Sequence, residues 1–320
     1  MVAADRQWPP DEDDDVIADD QLRLIFTCCH PALAPAAQVA LTLRLLGGLS
    51  TPQIARAFLV SESTMAQRIV RAKGKIRAAH IPYRIPEAAE LPDRLPQALA
   101  VVYLIFNEGH TTSTGPDLGR IDLAAEAIRL GRLLHVLMPD EPEVGGLLAL
   151  MLLSESRRQA RTTDEGALVL LTDQDRGRWD PTLIDEGQAL VRGCLRRGRP
   201  GPYQIQAAIQ AVHSDARTAA DTDWGQIVTL YRQLEALAPS PVVRLNRAVA
   251  EAELSGPAAG LALLDDLPLD AYPPFHAVRA ELLVRAGAPA AAVGEFIRAA
   301  DLTTNAIEEA HLRRRAGEAH

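Results

Sequence analysis

Between Leu49 and Arg77 the chain reads LSTPQIARAFLVSESTMAQRIVRAKGKIR, a pattern with few structural solutions: two short helices about a tight turn, the second of them basic. Ser50 or Thr51 can cap the first helix, and Pro52 falls at an early position where no amide donor is needed. Ile54, Ala55 and Phe58 then share a face. Leu59 and Val60 form the turn, and Ser61 is placed to cap the second helix through its hydroxyl. There Met65, Ile69, Ala72 and Ile76 recur at intervals of four, three and four, an apolar stripe able to pack on the first helix. Thr64, Arg68, Arg71 and Lys75 repeat that rhythm one residue earlier. With Ser63 and Gln67 they make a polar, cationic face of the kind a recognition helix lays in the major groove of DNA.

Charge points the same way. From Leu49 to Arg84 seven Lys and Arg oppose the single anion Glu62, a local net of +6 in a chain whose overall net charge is −9. A reversal of that size is an electrostatic footprint for phosphate. The competing reading is an amphipathic helical hairpin whose basic face is merely solvated.

The 320 residues leave room for two domains, and 48% hydrophobic content supports a sizeable core. Alanine and leucine dominate, aromatics are 4%, and few windows alternate with period two, so the expected fold class is all-α. No run of about 18 apolar residues and no basic-then-apolar leader is present. A soluble, cytoplasmic protein without a membrane partner is expected. Three cysteines make no disulfide framework. Cys28-Cys29-His30 invites a metal, but no second Cys or His pair stands at ligand spacing, so buried thiols and neither metal nor cofactor are expected.

Along the chain, residues 1–19 form an acidic lead-in. Met1–Leu24 carries eight Asp and Glu against Arg6 and Arg23, and reads as a flexible linker or, alternatively, as a segment that folds back over the basic helix. Helices are expected at about Asp20–His30, Pro35–Leu46, Pro52–Leu59 and Glu62–Ala79, a compact DNA-binding unit at 20–81. Pro82, Pro86, Pro92 and Pro96 punctuate a connector at 82–96, read as the domain boundary. From 97 to 320 the apolar stretches Leu95–Asn107, Leu123–Met138, Val144–Ser154, Leu183–Leu195, Tyr203–His213, Trp224–Leu237, Val242–Leu254, Ala258–Leu267, Phe275–Arg285 and Ala290–Ala300 each fit a helix. Pro257 and Pro289 stand 32 residues apart, and at that offset Ala248 matches Ala280, Leu261 matches Val293 and Leu264 matches Phe296. That is close to the 34-residue tetratricopeptide period, and Trp224 with Tyr231 can seat an earlier repeat. A plain helical domain of alanine-rich hairpins is the alternative.

The run DDQLRLIFTCCHPALAPAAQVALTLRLLGGLSTPQIARAFLVSESTMAQRIVRAKGKIR resembles region four, the C-terminal promoter-binding domain of bacterial extracytoplasmic-function (ECF) RNA polymerase sigma factors. LIFTCCHPAL, VYLIFNEG, DQDRGRWD, GPYQIQAAIQAVH and PSPVVRLNRAVA resemble, in order, the ECF subgroup with a long tetratricopeptide-like extension after region four. The resemblance implies promoter DNA and the RNA polymerase core as partners. Ser63, Thr64, Gln67, Arg68 and Arg71 would lie in or beside the groove, and Lys73, Lys75 and Arg77 nearer the phosphates. Arg68 and Arg71 lead as base readers, since arginine to guanine is the commonest specific contact. The first two helices, with Leu22, Leu24, Ile25 and Phe26, are implied to meet the β flap of the polymerase. Region two, which such factors carry ahead of region four to melt the promoter, does not precede it here, so this polypeptide is expected not to initiate transcription unaided.

Two polar clusters stand downstream. Asn107, Glu108 and His110 end an apolar helix, and Asp173, Gln174, Asp175, Arg176, Arg178, Trp179 and Asp180 crowd a loop. They read either as a salt-bridge knot or as a pocket for a small ligand or regulatory protein, with Trp179 and Tyr203 as flat surfaces. No nucleophile–base pair, phosphate loop or metal spacing accompanies Glu108, Asp175 or His213, so no enzyme is expected. The leading expectation is a sigma-factor-like initiation protein regulated by its helical extension. The alternative is a helical-repeat interaction or ligand-sensing module with a vestigial DNA-binding unit.

Overall fold

A computed structural model describes residues 12–58, 60–111, 123–163, 167–303 and 305–319, without the side chains at 12–19, 56–57 and 111. The described residues form fifteen α-helices, short 3-10 turns and one isolated bridge between Thr162 and Leu168, with no β-strand among them. None of their helices is long and apolar enough to cross a membrane. The chain divides into two compact units, Met1–Val144 and Gly145–His320.

In the first unit α1 (Glu12–Cys28), α2 (Pro35–Leu45), α3 (Thr51–Ala57) and α4 (Glu62–Ala78) are followed by α5 (Leu91–Thr111) and α6 (Leu123–Leu137). Its centre is α2, which packs on α1, α3, α4 and α5. Val39, Ala40, Leu41 and Leu43 are buried within about one turn and so on every side of the helix, as an element surrounded by others requires. Ile25, Phe26, Ile54 and Met65 close on it from the flanking helices.

Two boundaries differ from the sequence expectation. Helix α1 begins at Glu12, inside the stretch read as linker; the sequence opens it with Glu-Asp-Asp-Asp, the charge that the positive end of a helix dipole favours. The linker reading of 1–11, and Leu59 of the turn, lie outside the described residues. The connector at 82–96 does not separate the units. It runs into α5, with Pro92 in the first turn, and is tied to α1: Thr27 Oγ1 donates to Pro82 O (3.3 Å), Tyr83 OH to Asp20 O (3.2 Å) and Arg94 Nη2 to Phe26 O (2.8 Å). Proline punctuation marked a change of chain direction, while three hydrogen bonds keep that segment on the first unit.

Helix α7 (Pro142–Glu155) crosses the division, and the second unit continues with α8 (Pro181–Arg197), α9 (Pro202–Asp215), α10 (Trp224–Leu237), α11 (Pro241–Ser255), α12 (Pro257–Leu264), α13 (Pro273–Arg285), α14 (Pro289–Leu302) and α15 (Ala306–Glu318). From α8 onward each helix packs on its neighbours in sequence. Four successive helices open on a proline, at 241, 257, 273 and 289, a step of 16 residues each time. Proline suits a first helical position, where its fixed φ is pre-organised and its missing N–H is not needed. At the 32-residue offset Ala248 and Ala280 are both fully buried, as are Leu264 and Phe296. Small residues bring α11 and α12 close: a Cβ on Gly260 would stand 2.7 Å from both Ala248 O and Ala252 Cβ. Helix α15 escapes the apolar pattern because it buries only Leu312 and Ala316 and carries Glu309–Arg313 (3.0 Å) and Arg314–Glu318 (2.6 Å) pairs on its surface.

Candidate nucleic-acid interface

The turn between α3 and α4 is built by local hydrogen bonds that the sequence encodes. Gln53 Oε1 accepts from Ser50 N at 2.8 Å, half of a capping box before α3. Val60 N donates to Ala55 O at 3.0 Å, closing α3. Ser61 Oγ then accepts from Thr64 N at 3.2 Å and lies 2.8 Å from Thr64 Oγ1, so the hydroxyls at the head of α4 order one another. Met65, Ile69 and Ala72 are buried where α4 meets α2 and α3. The helix is thereby fixed by one stripe and presents the rest.

Ser63, Thr64, Gln67, Arg71, Lys73, Lys75 and Arg77 are exposed, and Arg68 is half-buried. They do not form a single face. At 3.6 residues per turn, Ser63, Gln67, Val70 and Gly74 lie opposite the buried stripe and form the outermost ridge. Thr64, Arg68, Arg71 and Lys75 run along one flank, and Lys73 and Arg77 along the other. The result is a nearly neutral ridge between two cationic flanks, the distribution needed to sit between two phosphate backbones. Val70 and Gly74 are the positions sequence reasoning missed, because neither is polar; their place on the helical wheel was the available signal. Val70 is 68% exposed, and a Cβ on Gly74 would meet nothing within 4 Å. A mid-helix glycine costs about 1 kcal/mol relative to alanine, and no packing among the described residues calls for it.

Leu22, Ile25 and Phe26, implied to meet the polymerase, are instead buried in the core of the first unit, where α1 closes on α2; Leu24 is half-exposed. The adjacent thiols are core as well. Cys28 and Cys29 are buried, Cys29 Sγ lies 3.7 Å from Thr42 Oγ1, and burial raises both thiols, Cys29 to about 12. His30 Nδ1 accepts from Ala32 N at 3.1 Å. No three His, Cys, Asp or Glu of the described residues converge as a metal site.

Of the two downstream polar clusters, Asn107, Glu108 and His110 lie on α5 in the first unit, where burial raises the Glu108 carboxyl. The others belong to the second unit. Asp175 accepts from Gly177 N at 2.9 Å and Asp180 from Thr182 N at 2.8 Å, so these carboxylates cap a 3-10 turn and α8. Asp173 is exposed. Arg176 donates to His213 O and, at 2.8 Å, to Ala216 O, satisfying carbonyls at the end of α9. Its guanidinium lies 4.6 Å over the buried Trp179 ring, with that of Arg157 at 5.7 Å. Tyr203 stands in the first turn of α9, while Arg176 meets the last turn of that helix. His213 is buried beside Trp224, ring centroids 5.3 Å apart; burial first, then Arg157 and Arg176, lower its pKa to about 4.

Residues 23–76 match the family described as Sigma-70, region 4, from within α1 to near the end of α4, the same helices that build this interface. Residues 94–195 match the Family of unknown function (DUF6596), which begins in α5 and ends in α8, across the division between the units. The chain is 50% identical over 297 residues to an uncharacterized protein of Rhizobium meliloti (strain 1021), covering 92% of this chain and 70% of that protein. No solved structure matches it. The α3–α4 pair is thus a sigma-factor-type, DNA-binding helix-turn-helix, and the chain belongs to the family of the Rhizobium meliloti protein, joining sigma-70 region 4 to a DUF6596 domain.

Proposed function

We propose that this chain acts in transcription initiation as a sigma factor of the ECF type, with α4 in the major groove of the upstream promoter element and the second unit as a regulatory, tetratricopeptide-like extension. One observation carries the reading: an N-capped helix in a region 4 match presents a neutral ridge between two cationic flanks. Arg71 and Arg68 read bases from one flank, Lys75 on that side and Lys73 and Arg77 on the other hold phosphates, and Val70 packs on a thymine methyl. Region 4 also engages RNA polymerase at the β flap, through exposed residues of the first unit rather than Ile25 or Phe26. The ordered resemblance of VYLIFNEG, DQDRGRWD and GPYQIQAAIQAVH to the subgroup with such an extension, and the 16-residue proline step, support the repeat assignment. The capping role of Asp175 and Arg176 favours the structural reading of that loop over a ligand pocket.

The test is DNA affinity against salt. Phosphate contacts give a log–log slope near −0.9 per neutralised phosphate. Arg71→Ala is expected to cost about 1–3 kcal/mol and to relax specificity at one position, whereas Lys73→Ala should weaken all duplexes alike and flatten the slope. The alternative, an interaction module with a vestigial DNA-binding unit, is favoured by the regular helical array; it requires no salt slope and no effect of Arg71→Ala.

A further inference from the structure

The second unit carries a basic surface that DNA recognition by α4 does not use. From Gly187 to Ser214 the chain has four arginines, Arg192, Arg196, Arg197 and Arg199, and no Asp or Glu, in a protein of net charge −9. Three of the arginines crowd the end of α8 and the turn after it. Beside the last of them, Arg199, which lines it, runs a groove of about 240 Å³, walled by Val191, Cys194 and Leu195 of α8, Ile205 and Ala208 of α9 and Leu230 of α10. Leu195, on its rim, is 70% exposed, and Arg192, one turn earlier, and Arg196 are exposed as well. Gln204 Nε2 donates to Arg199 O at 2.9 Å, fixing the turn that closes one end.

The groove is smaller than the ~300–1,000 Å³ of ordinary small-ligand pockets, and it is open to side chains entering from outside. A nucleic acid would satisfy the arginines but leave Leu195 and the apolar floor facing sugar and phosphate. A helix with leucine-like residues on one face and carboxylates beside them satisfies both, the helix-in-groove mode of recognition. We infer that the α8–α9–α10 groove is a docking surface for an acidic amphipathic helix of a partner protein, its apolar side chains seated against Val191, Leu195 and Leu230 and its carboxylates against Arg192 and Arg196. This surface is independent of DNA binding by α4.

The experiment uses the full chain and a fluorescein-labelled helical peptide of leucine and glutamate, with leucines at i, i+3, i+4 and i+7. The same peptide with lysine for glutamate and a labelled DNA duplex run in parallel, all followed by anisotropy. Saturable binding of the glutamate peptide is expected, weakened about tenfold or more by Arg192→Glu with Arg196→Glu, and by Leu195→Glu. The charge-reversed protein should in turn gain affinity for the lysine peptide. Arg71→Glu should leave peptide affinity unchanged while abolishing duplex binding, which separates this surface from α4. Circular dichroism confirms folding of each variant; should Leu195→Glu unfold, the arginine pair decides alone. The inference is overturned by no saturable peptide binding, by binding indifferent to Arg192 and Arg196, or by duplex binding lost on reversing those two arginines, which would make this a nucleic-acid surface.

Discussion

His213 shows how one side chain inherits its chemistry from distant neighbours. Buried on α9 with Arg157 and Arg176 nearby, it stays neutral in the folded protein until pH falls to about 4, whereas an unfolded histidine takes a proton near 6.5. Between those values the unfolded state binds more protons, so stability falls as pH falls from about 6.5 to 4 and this contribution stops changing below that. The loss amounts to about 3 kcal/mol. Urea unfolding of the parent and of His213→Gln at several pH values should show a shallower pH slope in the variant; identical slopes would remove His213 as the cause. Nothing near position 213 in sequence announces this, because Arg157 and Arg176 lie 56 and 37 residues away. The residues at the head of α4 were legible for the opposite reason. Ser61 and Gln53 each accept from an amide three positions away, and the apolar stripe is a strictly local rhythm. Val70 and Gly74 are equally local, yet a search for charged groups passes over them.

At the scale of elements, helices with a strong apolar rhythm stand where the pattern put them, from α6 through α14. Helix α15 does not announce itself, since its own carboxylate–arginine pairs and two buried side chains hold it rather than an apolar stripe. The 16-residue step of prolines was visible in the sequence only as one 32-residue interval; the intermediate prolines at 241 and 273 acquire meaning once each is seen to start a helix. The step also explains Gly260. Helices this short gain stability from close packing against a neighbour, and α11 and α12 approach through Ala248, Ala252 and Gly260. Gly260→Ala should destabilise the second unit by about 1–3 kcal/mol despite alanine's higher helix propensity, since its methyl meets backbone at Ala248 O. Thermal denaturation measures it. A neutral or raised melting temperature would mean that the helix pair relaxes at no cost.

For the whole molecule the sequence and the structure part company over where the chain divides. The prolines at 82–96 suggested one place, hydrogen bonds from Thr27, Tyr83 and Arg94 chose another, and the DUF6596 match runs through both α5 and α8. Partition of a chain depends on which surfaces find each other, and turn chemistry does not record that. The three cysteines offer a way to watch the two units separately. Cys28 and Cys29 are sealed in the first core, and Cys194 is buried on α8 at the wall of the apolar groove. A sealed thiol reacts with a labelling reagent only when its surroundings open, so each label clocks the opening of its own unit. Gly260→Ala should speed labelling of Cys194 and leave the adjacent pair unchanged; acceleration of all three would mean that the units open together. A helix lodged in the groove should slow Cys194 alone, so the protein carries, in the same sulfur that helps wall the groove, its own footprint of occupancy.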